Sequence, residues 1–232
     1  MKLLINSIYL ATEGEGIHIG TPQVFVRFQG CAVGCLNCDS KDTWDFTQEM
    51  AMNSESVVER VVELSGKIKR VSITGGDPLH PKHEAGVQAL VKSLKSRGYY
   101  INIEAAGTRV VDELFDLLDF ISFDYKTLST GVSTRLQLIE KMAKQYAGRF
   151  QVKAVIETRV DFDQTLKAYQ DLHAKNDLLP FSWVLTPSYN LNEAFPLERF
   201  KNVIEWNQEA GAPFRVIGQQ HKWIFGPDQK QV

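Results

Sequence analysis

Short runs of β-forming residues alternate with amphipathic stretches along most of the chain, and this alternation predicts an α/β fold. Strands that are joined through a helix are nearly always parallel, with right-handed crossovers. The chain offers about six or seven such units, fewer than the eight of a closed barrel. Polar and glycine-rich segments also follow the predicted strands. We therefore predict a partial (open) TIM-like barrel of parallel strands with outer helices, formed by a single domain over residues 1–232.

The predicted strands are apolar runs rich in β-branched and aromatic residues. In order, they are Val24–Gln29, Arg70–Thr74, Tyr100–Glu104, Phe120–Asp124, Phe150–Ile156, Ser182–Leu185 and Phe214–Ile217. In a parallel barrel the carboxyl ends of the strands share one rim, where the active site lies. We therefore expect the functional side chains in the segments that follow these strands.

Four stretches between the strands carry apolar residues at helical spacing, and we expect these faces to pack on the sheet as core. A capping box of Ser56 and Glu59 is expected to begin the first helix, and Gly98 to end the second. The four faces consist of Val57, Val58, Val61 and Val62; Val87, Leu90, Val91 and Leu94; Leu136, Ile139, Ala143 and Tyr146; and Val203, Trp206 and Ala210.

Composition and charge are those of an ordinary globular protein. Of the 232 residues, 44% are hydrophobic and 23% charged, and the formal net charge of −2 comes without a basic block for nucleic acid. No apolar run reaches the length of a membrane span, and the N-terminal segment lacks the layout of a signal peptide. We therefore expect a cytoplasmic protein that binds neither nucleic acid nor a membrane.

The three cysteines of the chain, Cys31, Cys35 and Cys38, fall within eight residues. An iron–sulfur cube is normally held by four thiolates, so three thiolates leave one iron open to a small molecule. A disulfide would leave one thiol unpaired, and zinc would need a fourth ligand from five scattered histidines. The spacing favours a 4Fe-4S cluster over zinc and over three buried thiols.

Two strand ends carry further candidates. The pair Gly75-Gly76 permits a tight turn, and it also permits the backbone to approach a ligand closely. Asp124 and Lys126 are two residues apart, so on a strand they project to the same face. A solvated ion pair is the alternative interpretation of these two residues.

The C-x3-C-x2-C spacing resembles that of the radical S-adenosylmethionine enzymes. The resemblance implies that the open iron binds S-adenosylmethionine, which is cleaved to a 5′-deoxyadenosyl radical. It also implies that Thr74-Gly75-Gly76-Asp77-Pro78 contacts the methionyl amino group. The implied cofactor contacts are Asn37, Cys38, Asp39, Gly75, Gly76, Asp124 and Lys126, with Asn37 standing where the family usually has an aromatic residue.

A second resemblance is carried by segments around the cysteines. Together they are similar to the 7-carboxy-7-deazaguanine synthases. The segments are Thr12-Glu13-Gly14-Glu15-Gly16, Phe25-Val26-Arg27-Phe28, Asp39-Ser40, Thr43-Trp44 and, more thinly, Gln219-Gln220-His221-Lys222. The family converts 6-carboxy-5,6,7,8-tetrahydropterin, by radical ring contraction with loss of ammonia, into a precursor of queuosine. The resemblance implies the same reaction here, a flavodoxin or ferredoxin as reductant, and a homodimer.

The same resemblance implies roles for individual residues. Thr12, Glu13, Gly14 and Thr74 would hold the pterin, and Ser40 would bind a Mg²⁺ ion that also contacts substrate. Glu13 stands where the family commonly has Gln, so an acceptor-only group replaces a neutral donor and acceptor. The resemblance gives no catalytic side chain beyond the cofactors.

Arg27 is the candidate that the residues themselves support best, because a guanidinium is a two-pronged partner for the substrate carboxylate. The alternative is a structural Arg27 paired with Glu13 or Glu15.

Two other functions stay open: a glycyl-radical-enzyme activase, and a non-catalytic iron–sulfur or zinc module. The Glu-Gly-Glu-Gly loop and Arg27 speak against both, because neither function needs a clamp for a small acid.

Overall fold

The computed structural model describes residues 1–175 and 181–232. Within these ranges nine strands form one sheet, in the order β3-β1-β2-β4-β5-β6-β7-β8-β9. The strands are β1 (Lys2–Thr12), β2 (Pro22–Phe28), β3 (Ala51–Asn53), β4 (Arg70–Gly75), β5 (Tyr100–Ala105), β6 (Phe120–Asp124), β7 (Phe150–Ile156), β8 (Ser182–Pro187) and β9 (Arg215–Val216). Neighbours from β2 onward are parallel, whereas β1 is antiparallel to both β2 and β3.

The sheet is mostly parallel. It does not close into a barrel, since its two edge strands, β3 and β9, do not pair with each other. This confirms the predicted partial (open) TIM-like barrel with outer helices. The helices are α1 (Ser54–Ser65), α2 (Pro81–Lys95), α3 (Asp112–Phe115), α4 (Leu136–Gln145), α5 (Arg159–Lys175), α6 (Leu197–Glu209) and α7 (Gln220–Phe225). The assignment of residues 1–232 to a single domain stays a prediction.

All seven predicted strands are present, with bounds shifted by at most two residues. The central ones read as continuous β-branched and aromatic runs because both of their faces are covered. Ile73, Ile103, Phe123 and Val152 from four successive strands are fully buried in one apolar core.

The prediction missed β1 and β3. Leu3 and Ile5 are buried in β1, but most of its later side chains are half-exposed, so a long apolar run is lacking. Strand β3 has only three residues. Strand β1 matters for function because it forms a hairpin with β2 and carries the Glu13–Gly16 loop to the site.

Two details of the predicted helices were wrong. Helix α1 begins at Ser54 after Asn53, so Ser56 lies inside the helix and caps nothing. Val62 is 44% exposed, because the buried face of α1 continues through Val61 to Ser65. The second, third and fourth helical faces are otherwise packed against the core as expected, although Ala210 follows the last residue of α6.

Helix α5 escaped prediction because its buried face is partly polar. Asp161 and Thr165 lie on that face with Phe162, and all three are fully buried. The Asp161 carboxylate accepts hydrogen bonds from the backbone N–H groups of Thr158 (2.9 Å) and Ser129 (2.9 Å). A carboxylate in the first turn accepts hydrogen bonds from N–H groups that have no partner within the helix. The buried Asp161 therefore stabilises the N-terminus of α5.

Candidate active site

One cavity of about 350 Å³ opens at the carboxyl ends of the parallel strands, and fifteen candidate site residues named from the sequence line it, whereas Asp77 and Pro78 do not. The fifteen residues are Thr12, Glu13, Gly14, Arg27, Cys31, Cys35, Asn37, Cys38, Asp39, Ser40, Thr74, Gly75, Gly76, Asp124 and Lys126. The sheet register explains the convergence, since Arg27 on β2 lies opposite Thr74 on β4. The roles assigned to these residues stay predictions.

The cysteine loop leaves the end of β2 and is tied down by backbone hydrogen bonds. Gly30 N–H donates to the Thr43 carbonyl (2.7 Å), and Cys31 N–H donates to the Trp44 carbonyl (3.0 Å). The buried Gln29 side chain donates to the carbonyls of Asp42 (3.0 Å) and Asp45 (2.9 Å). These hydrogen bonds join the start of the cysteine loop to residues 42–45 at its far end.

The three thiols are free and half-buried, and they face the same cavity. Backbone N–H groups point at two of the sulfurs, from Val33 to Cys31 Sγ and from Ser40 to Cys38 Sγ, each at 3.4 Å. Among residues 1–175 and 181–232, no three His, Cys, Asp or Glu side chains are arranged to hold a metal ion. Three thiols on one loop with N–H donors to sulfur nevertheless fit the ligand set of an iron–sulfur cluster.

Gly75 and Gly76 hold β4 against the cysteine loop. A Cβ on Gly76 would lie 2.5 Å from the Gly30 carbonyl oxygen and 2.8 Å from that of Thr43. Gly76 N–H donates to the Phe28 carbonyl (3.0 Å), and Asp77 N–H donates to that of Gly30 (2.9 Å). The sequence predicted that the backbone at Gly75-Gly76 approaches a ligand closely. In the structure it approaches the backbone of the cysteine loop.

Arg27 has no carboxylate partner within ion-pair distance in the part of the chain that the structure describes. Its guanidinium donates to the Tyr9 hydroxyl (3.1 Å) and to Ser40 Oγ (3.3 Å). Glu15, one of the partners considered from the sequence, is bonded to Lys153 instead. The structure thus contradicts the alternative of a structural Arg27 paired with Glu13 or Glu15.

Ser40 connects Arg27 with the acidic side of the cavity. Its hydroxyl accepts from Arg27 and donates to Asp39 Oδ1 (3.1 Å). A hydroxyl and a carboxylate are the hard oxygen donors that Mg²⁺ prefers, so these two residues fit the predicted magnesium site.

Lys153 on β7 is at the centre of a charge cluster that the sequence analysis missed. Its ammonium lies 2.6 Å from Glu15, 3.2 Å from Glu104 and 3.8 Å from Asp124, and only 11% of its side chain is exposed. Burial opposes a charged Lys153, but Glu15 and then Glu104 hold the pKa of Lys153 well above its usual value. Burial would likewise raise the pKa of Glu15, and Lys153 holds it well below the usual range instead.

Asp124 and Lys126 do project to one side, as predicted, and their side chains meet at 2.7 Å. Strand β6 ends at Asp124, however, so Lys126 lies just beyond the strand rather than on it. The pair is not solvated, because the two side chains are only 24% and 15% exposed. The alternative interpretation as a surface ion pair is therefore wrong.

Glu13 is buried on the cavity wall, where Gln23 Nε2 donates to its Oε2 (2.7 Å). Burial first, and Glu104 second, raise the pKa of Glu13 to about 8. Glu13 is thus an acid whose pKa is strongly raised on the cavity wall, and perturbed carboxyls of this kind cluster at functional sites.

The C-terminal helix α7 covers one side of the cavity. Lys222 is buried, and it donates to the Tyr189 carbonyl (2.9 Å) and pairs with Asp39 (3.0 Å). His221 packs so closely on Gly14 that a Cβ there would lie 2.0 Å from its Nδ1. Helix α7 therefore fixes both the Glu13–Gly16 loop and the end of the cysteine loop.

Sequence reasoning missed Tyr9, Lys153 and Ser188 as cavity residues, and it placed Glu104 at a strand end on the rim without giving it a role. A lysine in the middle of an apolar strand was the available signal for Lys153. Glu104 is the last residue but one of β5, so its place at the rim follows from the same reasoning as that of Asp124. Tyr9 lies on the unpredicted β1, and Ser188 follows β8 without a distinctive motif.

Known proteins resemble the chain in sequence and in fold. Residues 12–121 match the family model described as a 4Fe-4S single cluster domain. The 7-carboxy-7-deazaguanine synthase of Leptospira interrogans is 26% identical over 100% of this chain and 99% of its own length. That of Pyrobaculum aerophilum is 33% identical, over 56% of this chain and 58% of the relative.

The structure of QueE from Escherichia coli superposes with a TM-score of 0.70 at 23% identity and covers 95% of each chain. The chain is thus similar to the 7-carboxy-7-deazaguanine synthases over its whole length, and to a 4Fe-4S single cluster domain over residues 12–121.

No helix in the ranges that the structure describes combines the length and hydropathy needed to cross a membrane.

Proposed function

We propose that this protein is a radical S-adenosylmethionine enzyme, a 7-carboxy-7-deazaguanine synthase. It would convert 6-carboxy-5,6,7,8-tetrahydropterin to 7-carboxy-7-deazaguanine with release of ammonia, in queuosine and 7-deazapurine biosynthesis. The observation that carries the proposal is Arg27, a half-buried guanidinium without a carboxylate partner among the described residues, in the same cavity as Cys31, Cys35 and Cys38. Relatives that align over nearly their whole length carry this name.

The residues of the chain would bind and orient the substrate. Arg27 is held in place by Tyr9 and Ser40, and in this position it can accept the substrate carboxylate in a bidentate pair. Thr12, Glu13 and Gly14 would contact the pterin ring from the hairpin, and Thr74 would contact it from β4. When bound, the cluster and S-adenosylmethionine supply the 5′-deoxyadenosyl radical that begins the ring contraction.

The cofactor roles follow the same geometry. Cys31, Cys35 and Cys38 would hold the cluster, whereas Asn37, Asp39, Gly75, Gly76, Asp124 and Lys126 would contact S-adenosylmethionine. Ser40 would bind Mg²⁺ beside Asp39. Three further proposals rest on resemblance alone: a homodimer, a cytoplasmic location, and a flavodoxin or ferredoxin as electron donor.

Anaerobic reconstitution with iron and sulfide tests the proposal most directly. With dithionite, S-adenosylmethionine, Mg²⁺ and 6-carboxytetrahydropterin, we expect a deazapurine carboxylate in excess of the S-adenosylmethionine consumed. Deoxyadenosine without pterin turnover, together with a glycine radical on a partner protein, would establish the activase alternative.

The metal content separates the radical enzyme from a zinc module. We expect about four irons per chain, and loss of all of them when any one of Cys31, Cys35 and Cys38 is changed to Ala. One zinc and no capacity for iron under anaerobic conditions would refute both the cluster and the proposed reaction.

A further inference from the structure

Glu13 is a buried carboxyl on the cavity wall whose hydrogen-bond donors are both uncharged. Gln23 Nε2 donates to Oε2 at 2.7 Å, and the backbone N–H of Glu15 donates to Oε1 at 3.2 Å. The residue is only 7% exposed, so water contributes little to its solvation. A buried carboxylate without a cationic partner is strongly disfavoured relative to the neutral acid.

The cations near Glu13 are engaged by other carboxylates. Lys153 of β7 bonds to Glu15 and Glu104, and Lys126, beyond β6, bonds to Asp124. Four carboxyl groups therefore share two ammonium groups, and Glu13 is the one that has no ion pair.

The remaining charged or titratable groups around Glu13 do not neutralise it. Arg70 of β4 reaches Gln23 (3.1 Å) and His18 (2.7 Å) rather than the Glu13 carboxyl. Arg27 of β2 is directed at Tyr9 and Ser40. His221 of α7 packs on Gly14, and burial lowers its pKa, so it is mostly uncharged near neutral pH.

We propose that Glu13 works as a neutral carboxylic acid whose O–H donates a hydrogen bond to an acceptor atom of the bound substrate. The acceptor would be a carbonyl oxygen or ring nitrogen of the pyrimidinone, so this inference rests on the proposed function. The shorter bond from Gln23 assigns Oε2 as the carbonyl oxygen and leaves the proton on Oε1. A neutral Glu13 thereby offers a donor and an acceptor together, as an amide side chain would.

Ionisation would remove this donor and place a negative charge beside a substrate that is itself a carboxylate. Substrate affinity should therefore fall as the proton leaves Glu13. With a pKa of Glu13 of about 8, the acid form predominates at pH 7.

The test uses reconstituted holoenzyme with S-adenosylmethionine, and it measures the Kd of 6-carboxytetrahydropterin from pH 6.5 to 9.5. We expect the affinity of the wild type to fall by up to about tenfold per pH unit above about pH 8. In Glu13→Gln this fall should disappear, whatever the absolute affinity. The matched control is Glu63→Gln on the exposed face of α1, which should keep the wild-type pH profile.

Infrared difference spectra of the substrate-free holoenzyme test the protonation state separately. The wild type should show a protonated carboxyl band at pH 7 that is lost with a midpoint near pH 8 and is missing in Glu13→Gln. If that variant fails to fold, Glu104→Gln should move the midpoint of the wild-type band to lower pH. Absence of such a band at pH 7, or an unchanged fall of affinity in Glu13→Gln, overturns the inference.

Failure of the proposed function and failure of the proposed role of Glu13 give different results. Folded holoenzyme that shows the band but never converts the pterin refutes the proposed function and leaves Glu13 neutral. Turnover without the band refutes only the role of Glu13.

Discussion

Arg27 shows how a side chain can be held ready for a ligand at the scale of one residue. Its hydrogen-bond partners, Tyr9 and Ser40, orient the guanidinium through neutral oxygens and leave it without a direct ion pair among the described residues. Tyr9, one of these neighbours, is itself fixed by stacking on Phe25, with ring centroids 5.2 Å apart. A half-buried arginine that served only the fold would ordinarily be paired with a carboxylate.

Changing Arg27 to Met removes the charge and keeps an unbranched apolar stem. Loss of a bidentate contact to the substrate carboxylate should cost about 1.5–3 kcal/mol, or about one to two powers of ten in kcat/KM. Lys should rescue activity only in part, because an ammonium cannot form the two-pronged pair. The control is Arg60→Met, which removes an exposed arginine of α1. Early melting or cluster loss in Arg27→Met, with unchanged substrate affinity in the folded fraction, would assign Arg27 to the fold.

Lys153 gives the second prediction at this scale. Lys153→Met should lower the free energy of unfolding by about 3–5 kcal/mol, because Glu15 and Glu104 lose the cation between them. Lys167→Met is the control, since Lys167 and Asp171 form an exposed pair one helical turn apart, and there we expect less than about 0.5 kcal/mol. Denaturation of the reconstituted proteins measures both. Adding Glu104→Gln to Lys153→Met should recover part of the loss, and no recovery would mean that the two charges are not coupled.

At the scale of elements, the cysteine loop is held by the strand beside it rather than by its own sequence. The end of β4 lies against residues 28–30 and 43, so the two segments must be positioned together. Helix α7 adds a second support from the far end of the chain through Lys222 and Asp39.

Gly76→Ala tests this support. Its Cβ would meet two backbone carbonyl oxygens at 2.5 Å and 2.8 Å, which cannot move without shifting the cysteine loop. We expect reconstituted Gly76→Ala to hold much less iron than the wild type. Gly86→Ala is the matched control, because its Cβ meets the flexible end of the Leu3 side chain at 2.4 Å, far from the cysteines in the chain. Equal iron content in the two variants would show that β4 does not position the loop.

At the scale of the whole molecule, buried ionisable groups make stability depend on pH. The pKa of Glu13 is about 8 in the folded chain against an ordinary 4.5, so between these values the folded state keeps a proton that the unfolded state has lost. This contribution to stability therefore falls as pH rises, and it stops changing above about pH 8. His18 acts in the opposite direction at lower pH, because burial and Arg70 lower its pKa to about 4.

We therefore expect the difference in Tm between Glu13→Gln and the wild type to grow from pH 6.5 to 8 in favour of the variant, and then to level off. Comparing the two proteins at each pH cancels the contributions of groups that they share. Thermal melts of reconstituted protein measure this difference, with Glu63→Gln as the control. A difference in Tm that stays constant over this range would mean that Glu13 is already ionised at pH 6.5.

The sequence by itself determined the parallel α/β architecture, the seven parallel strands and the cysteine loop. These features follow from local information: buried parallel strands need continuous apolar runs, and three thiols within eight residues predict a cluster loop from their spacing alone. The glycine pair and Asp124–Lys126 were found because the strand ends of a parallel barrel share one rim.

Only the tertiary structure decided which charges meet. Glu15, Glu104 and Lys153 are far apart in sequence, and their ion pairs depend on the register of β7 and on the hairpin that β1 and β2 form. The same packing leaves Arg27 without a carboxylate and Glu13 without a cation among the described residues. Hydropathy and spacing predict which face of its own helix or strand a residue occupies. Which charges are neutralised depends instead on distances between elements, and these distances are fixed only when the chain folds.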